Sequence, residues 1–219
     1  MTRIKYPRTF HLPYSETITD DDKRLQNDDM FVKCCMDVVV TEKMDGENTT
    51  VYSDGYIHSR SIDGNRNPWQ TWLKKYVATW CYSIPIGWHI CGENLYPRHS
   101  IAYKFTDEKD FFQVFTIYDN KNQCLPWDET VIMCHNLGIK HVEPIYCGPY
   151  SKDVIVNRFA EYKKLHSDRE VEGFVVRNRN GFHYDDFSKN VAKYVRRNHV
   201  TTDEHWTRQW IPNELVKLR

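Results

Sequence analysis

The feature that most constrains this chain is a series of short β-rich runs spread unevenly over its length. The runs are rich in Val, Ile, Thr, Phe and Tyr, residues that favour strands. They cover residues 38–41, 49–52, 89–91, 111–118, 173–177 and 191–195. They do not alternate regularly with helical patterns, as a parallel β-α-β fold requires. The sequence therefore predicts an α+β fold in which strands are mixed with a few flanking helices.

Three segments have the periodicity of helices. One helix is predicted after Pro126 and Trp127, and another over residues 151–165 with Ser151 as the capping residue. The clearest helix follows Pro68, and its apolar face consists of Trp69, Trp72, Leu73, Tyr76, Val77 and Trp80. An aromatic stripe at this spacing is typical of a core. We therefore interpret it as packing rather than as a platform for nucleic-acid bases.

Length and composition narrow the class of protein. At about 150 residues per domain, the 219 residues predict a single domain over 1–219. Thirty Lys and Arg balance thirty Asp and Glu, so the formal net charge is zero and any nucleic-acid contact must be a local patch. The sequence contains no apolar run of membrane-spanning length, and its first residues do not resemble a signal peptide. These patterns predict a cytoplasmic protein without a membrane partner.

Two groups of residues are expected to be structural. Seven cysteines, an odd number without a C-x-x-C pair, predict reduced and mostly buried thiols and no transition-metal site. The acidic cluster Asp20-Asp21-Asp22 with Asp28-Asp29 predicts a solvated loop or helix end, to which we assign no function.

The segment with the clearest chemical signal is Thr41-Glu42-Lys43-Met44-Asp45-Gly46-Glu47-Asn48. A lysine leaves one predicted strand and meets an Asp-Gly turn signal before the next strand begins. A K-x-D-G string is weak by itself, because Asp-Gly is also a common hairpin turn. A hairpin therefore stays an alternative for this segment.

Further motifs follow the lysine in a fixed order. They are His58-Ser59-Arg60-Ser61, Gly92-Glu93-Asn94-Leu95-Tyr96, the strand Val114 to Asp119, Glu172-Gly173-Phe174-Val175-Val176-Arg177 and Val191-Ala192-Lys193-Tyr194. Over residues 41–196 this order resembles motifs I, Ia, III, IIIa, IV and V of the covalent nucleotidyltransferases, the superfamily of ATP-dependent DNA ligases, RNA ligases and capping enzymes. Asn48, where DNA ligases usually carry Arg, and the G-E-N-L-Y string resemble the RNA ligase branch.

The resemblance implies a nucleotidyltransferase (ATP-grasp-like ligase) domain with antiparallel sheets and flanking helices. It implies an ATP-dependent RNA ligase that joins 5′-phosphate and 3′-hydroxyl ends through lysyl-AMP and adenylylated RNA. Its catalytic residues would be Lys43, Asp45 and Lys193. Nucleotide would be bound by Glu42, Asn48, Arg60, Glu93, Tyr118, Glu172 and Lys193. Mg²⁺ or Mn²⁺ would be held by Asp45 and Glu172.

More specific roles follow from the resemblance. Lys43 would attack the α-phosphorus, for which its amine must lose a proton despite an ordinary pKa near 10.4. Lys193 would neutralise the α-phosphate, Glu93 would hold the ribose, and Arg60 would hold the ribose or the 5′-phosphate. Tyr118 would stack on adenine, with Phe115 close by in sequence. Glu42 would help to read the adenine, and Asn48 would sit near the reacting ends.

The sequence departs from the family pattern in two places. Val191 stands where motif V usually has a first lysine, so Lys193 is left with Lys189 or Arg196 as candidate substitutes. Only 26 residues follow Lys193, which predicts no OB-fold or other C-terminal domain. A monomer would then grip RNA by itself or through a partner protein. Its own basic groups for this are Arg98, Arg177, Arg179, Arg196 and Arg197.

Other functions remain open at this stage. One alternative is a ligase for DNA or for RNA/DNA hybrids, since Asn48 is a single distinguishing residue. A capping enzyme is disfavoured by the predicted lack of an OB-fold. An inactive module that binds nucleotide or RNA ends is a third alternative, although such a module has no need for the four charged residues Lys43, Asp45, Glu93 and Glu172.

Overall fold

The computed structural model describes residues 2–19, 22–62, 67–197 and 210–216. These residues form two compact units, each with a sheet and a core of its own. Unit 1 contains the described residues of 2–6, 45–142 and 210–216, and unit 2 contains those of 7–44 and 143–197. The chain passes from unit 2 to unit 1 between Met44 and Asp45.

The described residues contain fourteen strands and five α-helices. The strands are β1 (Phe10–His11), β2 (Asp37–Lys43), β3 (Glu47–Tyr52), β4 (Ile57–Ser59), β5 (His89–Asn94), β6 (Lys104–Phe105), β7 (Phe112–Tyr118), β8 (Gln123–Cys124), β9 (Lys140–His141), β10 (Pro144–Pro149), β11 (Gly173–Asn178), β12 (Phe182–His183), β13 (Val191–Val195) and β14 (Glu214–Leu215). The helices are α1 (Asp29–Val32), α2 (Thr71–Val77), α3 (Trp127–Leu137), α4 (Lys152–Leu165) and α5 (Phe187–Asn190). Short 3₁₀ turns cover Pro68–Gln70, Cys81–Ser83, Glu108–Phe111 and Tyr184–Asp186.

The sheet of unit 2 has the strand order β1-β13-β11-β2-β10. Its pairs are antiparallel except for β1 and β13, which run parallel. The interior strand β2 is buried from Val38 to Glu42, because its Val-Val-Val-Thr run faces apolar neighbours. One sheet face packs on Leu12, Phe31 and α4, and this packing makes the core of the unit.

The sheet of unit 1 places β8, β7, β5, β3 and β4 side by side, with β9 parallel to β7. A second ladder joins β14 to β6. The core collects side chains from β3, β5, β7, α2 and α3. Trp69, Leu73, Val77 and Trp80 are buried in unit 1, which confirms that the aromatic stripe after Pro68 is a packing surface.

The α+β expectation with antiparallel sheets is confirmed, and the six predicted strand runs lie in strands, apart from Phe111, which ends a 3₁₀ turn. The three predicted helices are present, although the first begins with a 3₁₀ turn and becomes α-helical only at Thr71. Ser151 occupies the N-cap position of α4, but its side chain makes no capping hydrogen bond. The prediction of its position was right, and the prediction of its capping bond was wrong.

Two other expectations are corrected. The Asp45-Gly46 segment is not a hairpin turn, because β2 pairs with β10 and β11 while β3 pairs with β4 and β5. Most of the cysteines are not buried: Cys91, Cys124 and Cys134 are, whereas Cys34, Cys35 and Cys147 are exposed and Cys81 is intermediate. No helix in the described part of the chain is long and apolar enough to cross a membrane.

Candidate functional site

The lysine of motif I and the glutamate of motif IV lie side by side in unit 2. Lys43 is the last residue of β2, and it pairs in register with Gly173, the first residue of β11. Glu172 immediately precedes Gly173, so its carboxylate lies beside the lysine, with 2.6 Å between Nζ and Oε1. The Glu172 side chain is only 7% exposed, and that of Lys43 is 26% exposed. The lysine head group therefore remains accessible while its partner is nearly enclosed.

Gly173 is required at this position by a close approach of backbone. A Cβ atom there would lie 1.9 Å from the carbonyl oxygen of Tyr194, in the neighbouring strand β13. No side chain can be accommodated without separating the strands. The Glu-Gly pair of motif IV thus has a local reason, since the glycine lets β11 and β13 approach next to the carboxylate.

Lys193 lies on the same sheet face as Lys43. Val175 pairs with Thr41 in β2 and with Lys193 in β13, and side chains two residues apart along a strand share a face. Burial lowers the pKa of the Lys193 ammonium, the hydrogen bond that Lys193 donates to Asp22 opposes this shift, and the charge of Lys43 adds to it. Two lysines and two carboxylates are therefore electrically coupled on this face.

Asp22 corrects the expectation that the acidic run is a solvated loop without function. Its Oδ1 lies 2.9 Å from Lys193 Nζ, and its Oδ2 lies 3.1 Å from His11 Nε2. Burial by itself would raise the pKa of Asp22, but the hydrogen bond and charge of Lys193 outweigh it and lower the pKa. Asp20 and Asp21 lie outside the described residues. Sequence reasoning missed Asp22 because the acidic run carries no pattern that points to a lysine so far along the chain.

Glu42 lies on the opposite face of β2 from Lys43, and its carboxylate is committed to protein partners. Arg169 Nη1 and Nη2 each donate to it at 2.6 Å, and the Tyr162 hydroxyl donates to Oε2 at 2.6 Å. Glu42 is 4% exposed. We therefore correct the expectation that this carboxylate reads adenine. It anchors the strand that carries Lys43 to the segment that leads to Glu172.

Motif I continues in unit 1, where Asp45 is fixed by the segment after motif III. The backbone N–H of Asp45 donates to the Tyr103 hydroxyl at 2.9 Å, and Asp45 Oδ2 accepts from the Ile101 N–H at 2.7 Å. His99 Nδ1 lies 4.0 Å from Asp45 Oδ1. The carboxylate is thus held in a single orientation, with one oxygen facing a histidine.

Gly46 brings this turn against motif III. Its N–H donates to Glu93 Oε1 at 3.1 Å, and a Cβ atom at Gly46 would lie 2.6 Å from the Asn94 carbonyl oxygen. Asn48 and Glu93 pair across β3 and β5. Asn48 Oδ1 is buried and accepts no hydrogen bond from any residue that the structure describes. Glu93 and Asn48, whose Oδ1 is unsatisfied, are therefore direct neighbours across β3 and β5 in unit 1.

Arg60 follows β4 and is exposed, at the surface of unit 1. Strand β4, which ends at Ser59, pairs with β3 in the sheet that holds Glu93. The expected contact of Arg60 with nucleotide or RNA stays a prediction.

Tyr118 corrects another expectation. Its ring is 0% exposed and stacks on His89, with 5.0 Å between ring centroids, so neither face is open to adenine. Phe115 is only partly buried and touches the Tyr6 ring edge to face at 5.2 Å. It lies three residues earlier in the same strand, where the register between β5 and β7 shifts. The two rings therefore differ in burial, since Tyr118 is fully buried and Phe115 only partly, and the sequence does not reveal this difference.

The basic residues expected to grip RNA are not equivalent. Arg177 is 5% exposed, so it is not part of a surface grip. Arg179 Nη1 lies 3.8 Å from Asp37 Oδ2, and Arg196 forms an ion pair with Glu170. Of the candidate substitutes for the missing motif V lysine, Lys189 is exposed and pairs with Asp186. Lys189 and Arg196 are therefore both engaged with carboxylates, and Val191 is buried.

The carboxylates suit a hard divalent cation. Asp45 and Glu172 offer oxygen donors, which Mg²⁺ and Mn²⁺ prefer to nitrogen or sulfur. Among residues 2–19, 22–62, 67–197 and 210–216, no three His, Cys, Asp or Glu side chains are grouped to hold a metal ion. Mg²⁺ needs no such cage, because it commonly binds one or two carboxylates, water and substrate phosphates.

Solved structures of RNA ligases share this architecture. An archaeal ATP-dependent RNA ligase matches with a TM-score of 0.50 and 21% identity, over 73% of this chain and 42% of that chain. Two variants of the Naegleria gruberi RNA ligase also match. The apo variant has a TM-score of 0.53 and 17% identity, over 89% of this chain and 61% of that chain. A variant with ATP and Mn has a TM-score of 0.51 and 17% identity, over 90% and 63%.

These likenesses show that the described chain shares the fold of these ligases. The chain spans less than two thirds of the length of each of these three structures. The sequence model of the RNA ligase family matches residues 36–195, which include β2 and β13 with their lysines. The chain therefore belongs to the RNA ligase family. No curated protein sequence matches it.

Proposed function

We propose that this chain is an ATP-dependent RNA ligase that seals 5′-phosphate and 3′-hydroxyl ends, with its nucleotidyltransferase domain spanning residues 1–219. The observation that carries the proposal is the pairing of Lys43 Nζ with Glu172 Oε1 at 2.6 Å, on the face of the sheet that also holds Lys193. This arrangement lies within the residues that match the RNA ligase family. The ATP and Mn in one Naegleria gruberi variant support the choice of nucleotide and metal.

In the first step, the Lys43 nitrogen attacks the α-phosphorus of ATP. The ammonium loses a proton, an N–P bond forms, and the P–O bond to pyrophosphate breaks. Lys193, held at a fixed position by Asp22, offers positive charge to the α-phosphate oxygens as the transition state develops. The AMP then passes from Lys43 to an RNA 5′-phosphate, and a 3′-hydroxyl displaces it to form the phosphodiester.

Asp45 and Glu172 would hold Mg²⁺ or Mn²⁺. When bound there, the metal supplies positive charge that offsets the phosphate charge and disfavours the ammonium form of Lys43. In the absence of that charge, Glu172 favours the protonated lysine through their close contact. The arrangement therefore keeps Lys43 inactive as a nucleophile until the local charge balance changes.

The remaining residues would bind the nucleotide and the RNA ends. Glu93, which already accepts the Gly46 N–H, would hold the ribose, and Arg60 would contact the ribose or a 5′-phosphate. The buried Asn48 Oδ1 has an unused acceptor that suits a hydroxyl or amine of the substrate. We assign adenine stacking to Phe115 in place of Tyr118, because its ring is partly exposed.

The direct test is covalent labelling. The protein is incubated with ATP labelled at the α-phosphate and with Mg²⁺, and acid-stable label on the protein is measured. We expect labelling in the parent, none in Lys43→Ala, and parent-level labelling in the control Lys33→Ala, which alters an exposed lysine outside the motifs. Label that persists in Lys43→Ala, or is mapped to another lysine, would reject the assignment.

A second assay addresses the polynucleotide. One preparation is given matched nicks in RNA, in DNA and in RNA/DNA hybrids. We expect sealing to be fastest where the ends are RNA. Labelling by ATP with preferential sealing of DNA would support a DNA ligase, and labelling with no sealing of any nick would reject the ligase proposal.

A further inference from the structure

The segment before β2, described over residues 10–19 and 22–25, is bonded to strand β13. Phe10 and His11 in β1 pair with Ala192 and Lys193. The Leu12 N–H donates to the Lys193 carbonyl at 2.7 Å. The family match begins only at residue 36. This segment therefore reaches Lys193 from outside the matched region.

Asp22 is the charged residue that this segment delivers. Its side chain is 20% exposed and the Lys193 side chain is 17% exposed, so their 2.9 Å ion pair is largely shielded from water. Asp22 is itself held at its second oxygen, which accepts from the Thr19 hydroxyl at 2.9 Å and faces His11 Nε2 at 3.1 Å. Because Thr19 and His11 hold the Asp22 carboxylate, its ion pair with Lys193 holds the ammonium group in place.

His11 is in turn held within the strand pair. Its ring is 1% exposed, and Nδ1 lies 2.7 Å from the Ser15 hydroxyl. The Ser15 hydroxyl accepts the Val195 N–H at 2.9 Å. The contacts thus run from the backbone of β13 through Ser15, His11 and Asp22 back to the Lys193 side chain in the same strand. Such a closed set of contacts leaves Asp22 few alternative positions.

We propose that Asp22 is a positioning residue for the adenylylation reaction, acting through Lys193. The proposal rests on the proposed function. Motif V supplies a single lysine here, because Val191 replaces the usual first lysine and is buried. An ammonium has three N–H donors, so one bond to Asp22 leaves donors for a phosphate. Asp22 holds Nζ in place and favours its charged form, which burial and Lys43 disfavour.

The test is a mutant cycle on the labelling reaction. Asp22→Asn keeps the side-chain size and removes the charge, and we expect labelling at saturating ATP to fall about 10- to 100-fold, as for other outer-shell partners of a functional group. Asp22→Glu restores part of the rate. The matched control is Asp29→Asn, which removes an aspartate at the start of α1 that pairs with the exposed Lys33, and it should label at the parent rate.

The decisive comparison is made without Lys193. Because Asp22 acts through Lys193, Asp22→Asn should cause no further loss in a Lys193→Ala background. Equal fractional losses in both backgrounds would show a merely structural role and overturn the proposal. Parent-rate labelling by Asp22→Asn would also overturn it. So would faster labelling, which would make Asp22 a competitor of the phosphate for Lys193.

A second measurement separates this inference from the proposed function. Binding of α,β-methylene ATP, which cannot transfer AMP, is measured for the same four proteins by calorimetry. A parent that does not label rejects the proposed function. Binding that is weaker in Asp22→Asn than in the parent, but equal in Lys193→Ala and the double variant, still supports the inference. Equal binding by all four proteins together with parent-rate labelling by Asp22→Asn overturns it.

Discussion

The ion pair between Glu42 and Arg169 offers a quantitative test of how the nucleophile strand is held. Replacing Arg169 with Met removes both 2.6 Å donors from a carboxylate that is 3% exposed, and leaves it with the Tyr162 hydroxyl. Removing one partner of a buried pair costs about 3–5 kcal/mol. Arg169 is itself 16% exposed, and Tyr162 remains, so we expect the lower end of this range, about 3 kcal/mol.

The assay is urea unfolding of four proteins: the parent, Glu42→Met, Arg169→Met and the double variant. The double variant should be more stable than the sum of the single losses predicts, because it buries no unpaired charge. In a thermal scan, Arg169→Met should unfold roughly 6–12 °C below the parent, at 2–4 °C for each kcal/mol.

The control is Arg158→Met, in the exposed pair that Arg158 makes with Glu161 on α4. Exposed pairs contribute little, so no measurable change is expected. A loss below 1 kcal/mol for Arg169→Met, or strict additivity in the cycle, would refute the reasoning. Either result would mean that water or another donor satisfies Glu42 when Arg169 is absent.

Two further outcomes follow from packing and burial. Gly46→Ala should destabilise the protein by about 1–3 kcal/mol and slow labelling, because its Cβ would lie 2.6 Å from the Asn94 carbonyl oxygen. The control is Gly138→Asn, at a left-handed position with open space around it. Equal labelling rates for the two variants would contradict the role given to Gly46. Burial lowers the pKa of His89 from 6.5 to about 4, so the unfolded chain binds the extra proton and stability should fall as the pH drops from about 6.5 to 4, by about 3 kcal/mol. His89→Phe should reduce that loss when the free energy of unfolding is measured against pH. A loss below pH 6.5 equal to that of the parent would contradict the role given to His89.

Much of the fold follows from local patterns in the sequence. The Val-Val-Val-Thr run, the aromatic stripe after Pro68 and the helix signal at Ser151 each depend on neighbours within a few residues, and all three elements form where predicted. The ordered motifs likewise identify the family, because the residue types at each strand end are read directly from the chain. Lys43, Glu172 and Lys193 needed no coordinates to be chosen.

Other assignments depended on which side chains are buried. Tyr118 and Phe115 are both aromatic residues of one strand, and periodicity cannot say which ring faces the core when the register shifts between β5 and β7. The same limit applies to Glu42, whose partner Arg169 is distant in sequence. A side chain beside the nucleophile looks functional in the sequence, and only its contacts show that it is an anchor.

The sequence by itself determined six of the fourteen described strands, the principal helices, the order of motifs and the lysine expected to carry AMP. Only the tertiary structure decided what surrounds those residues, and Asp22 is the clearest case. Its acidic run is indistinguishable from a solvated loop in the sequence, because an ion pair across 171 residues leaves no local pattern. The strand pairing of β1 with β13 brings it to Lys193, since backbone hydrogen bonds set a register that neither segment encodes alone.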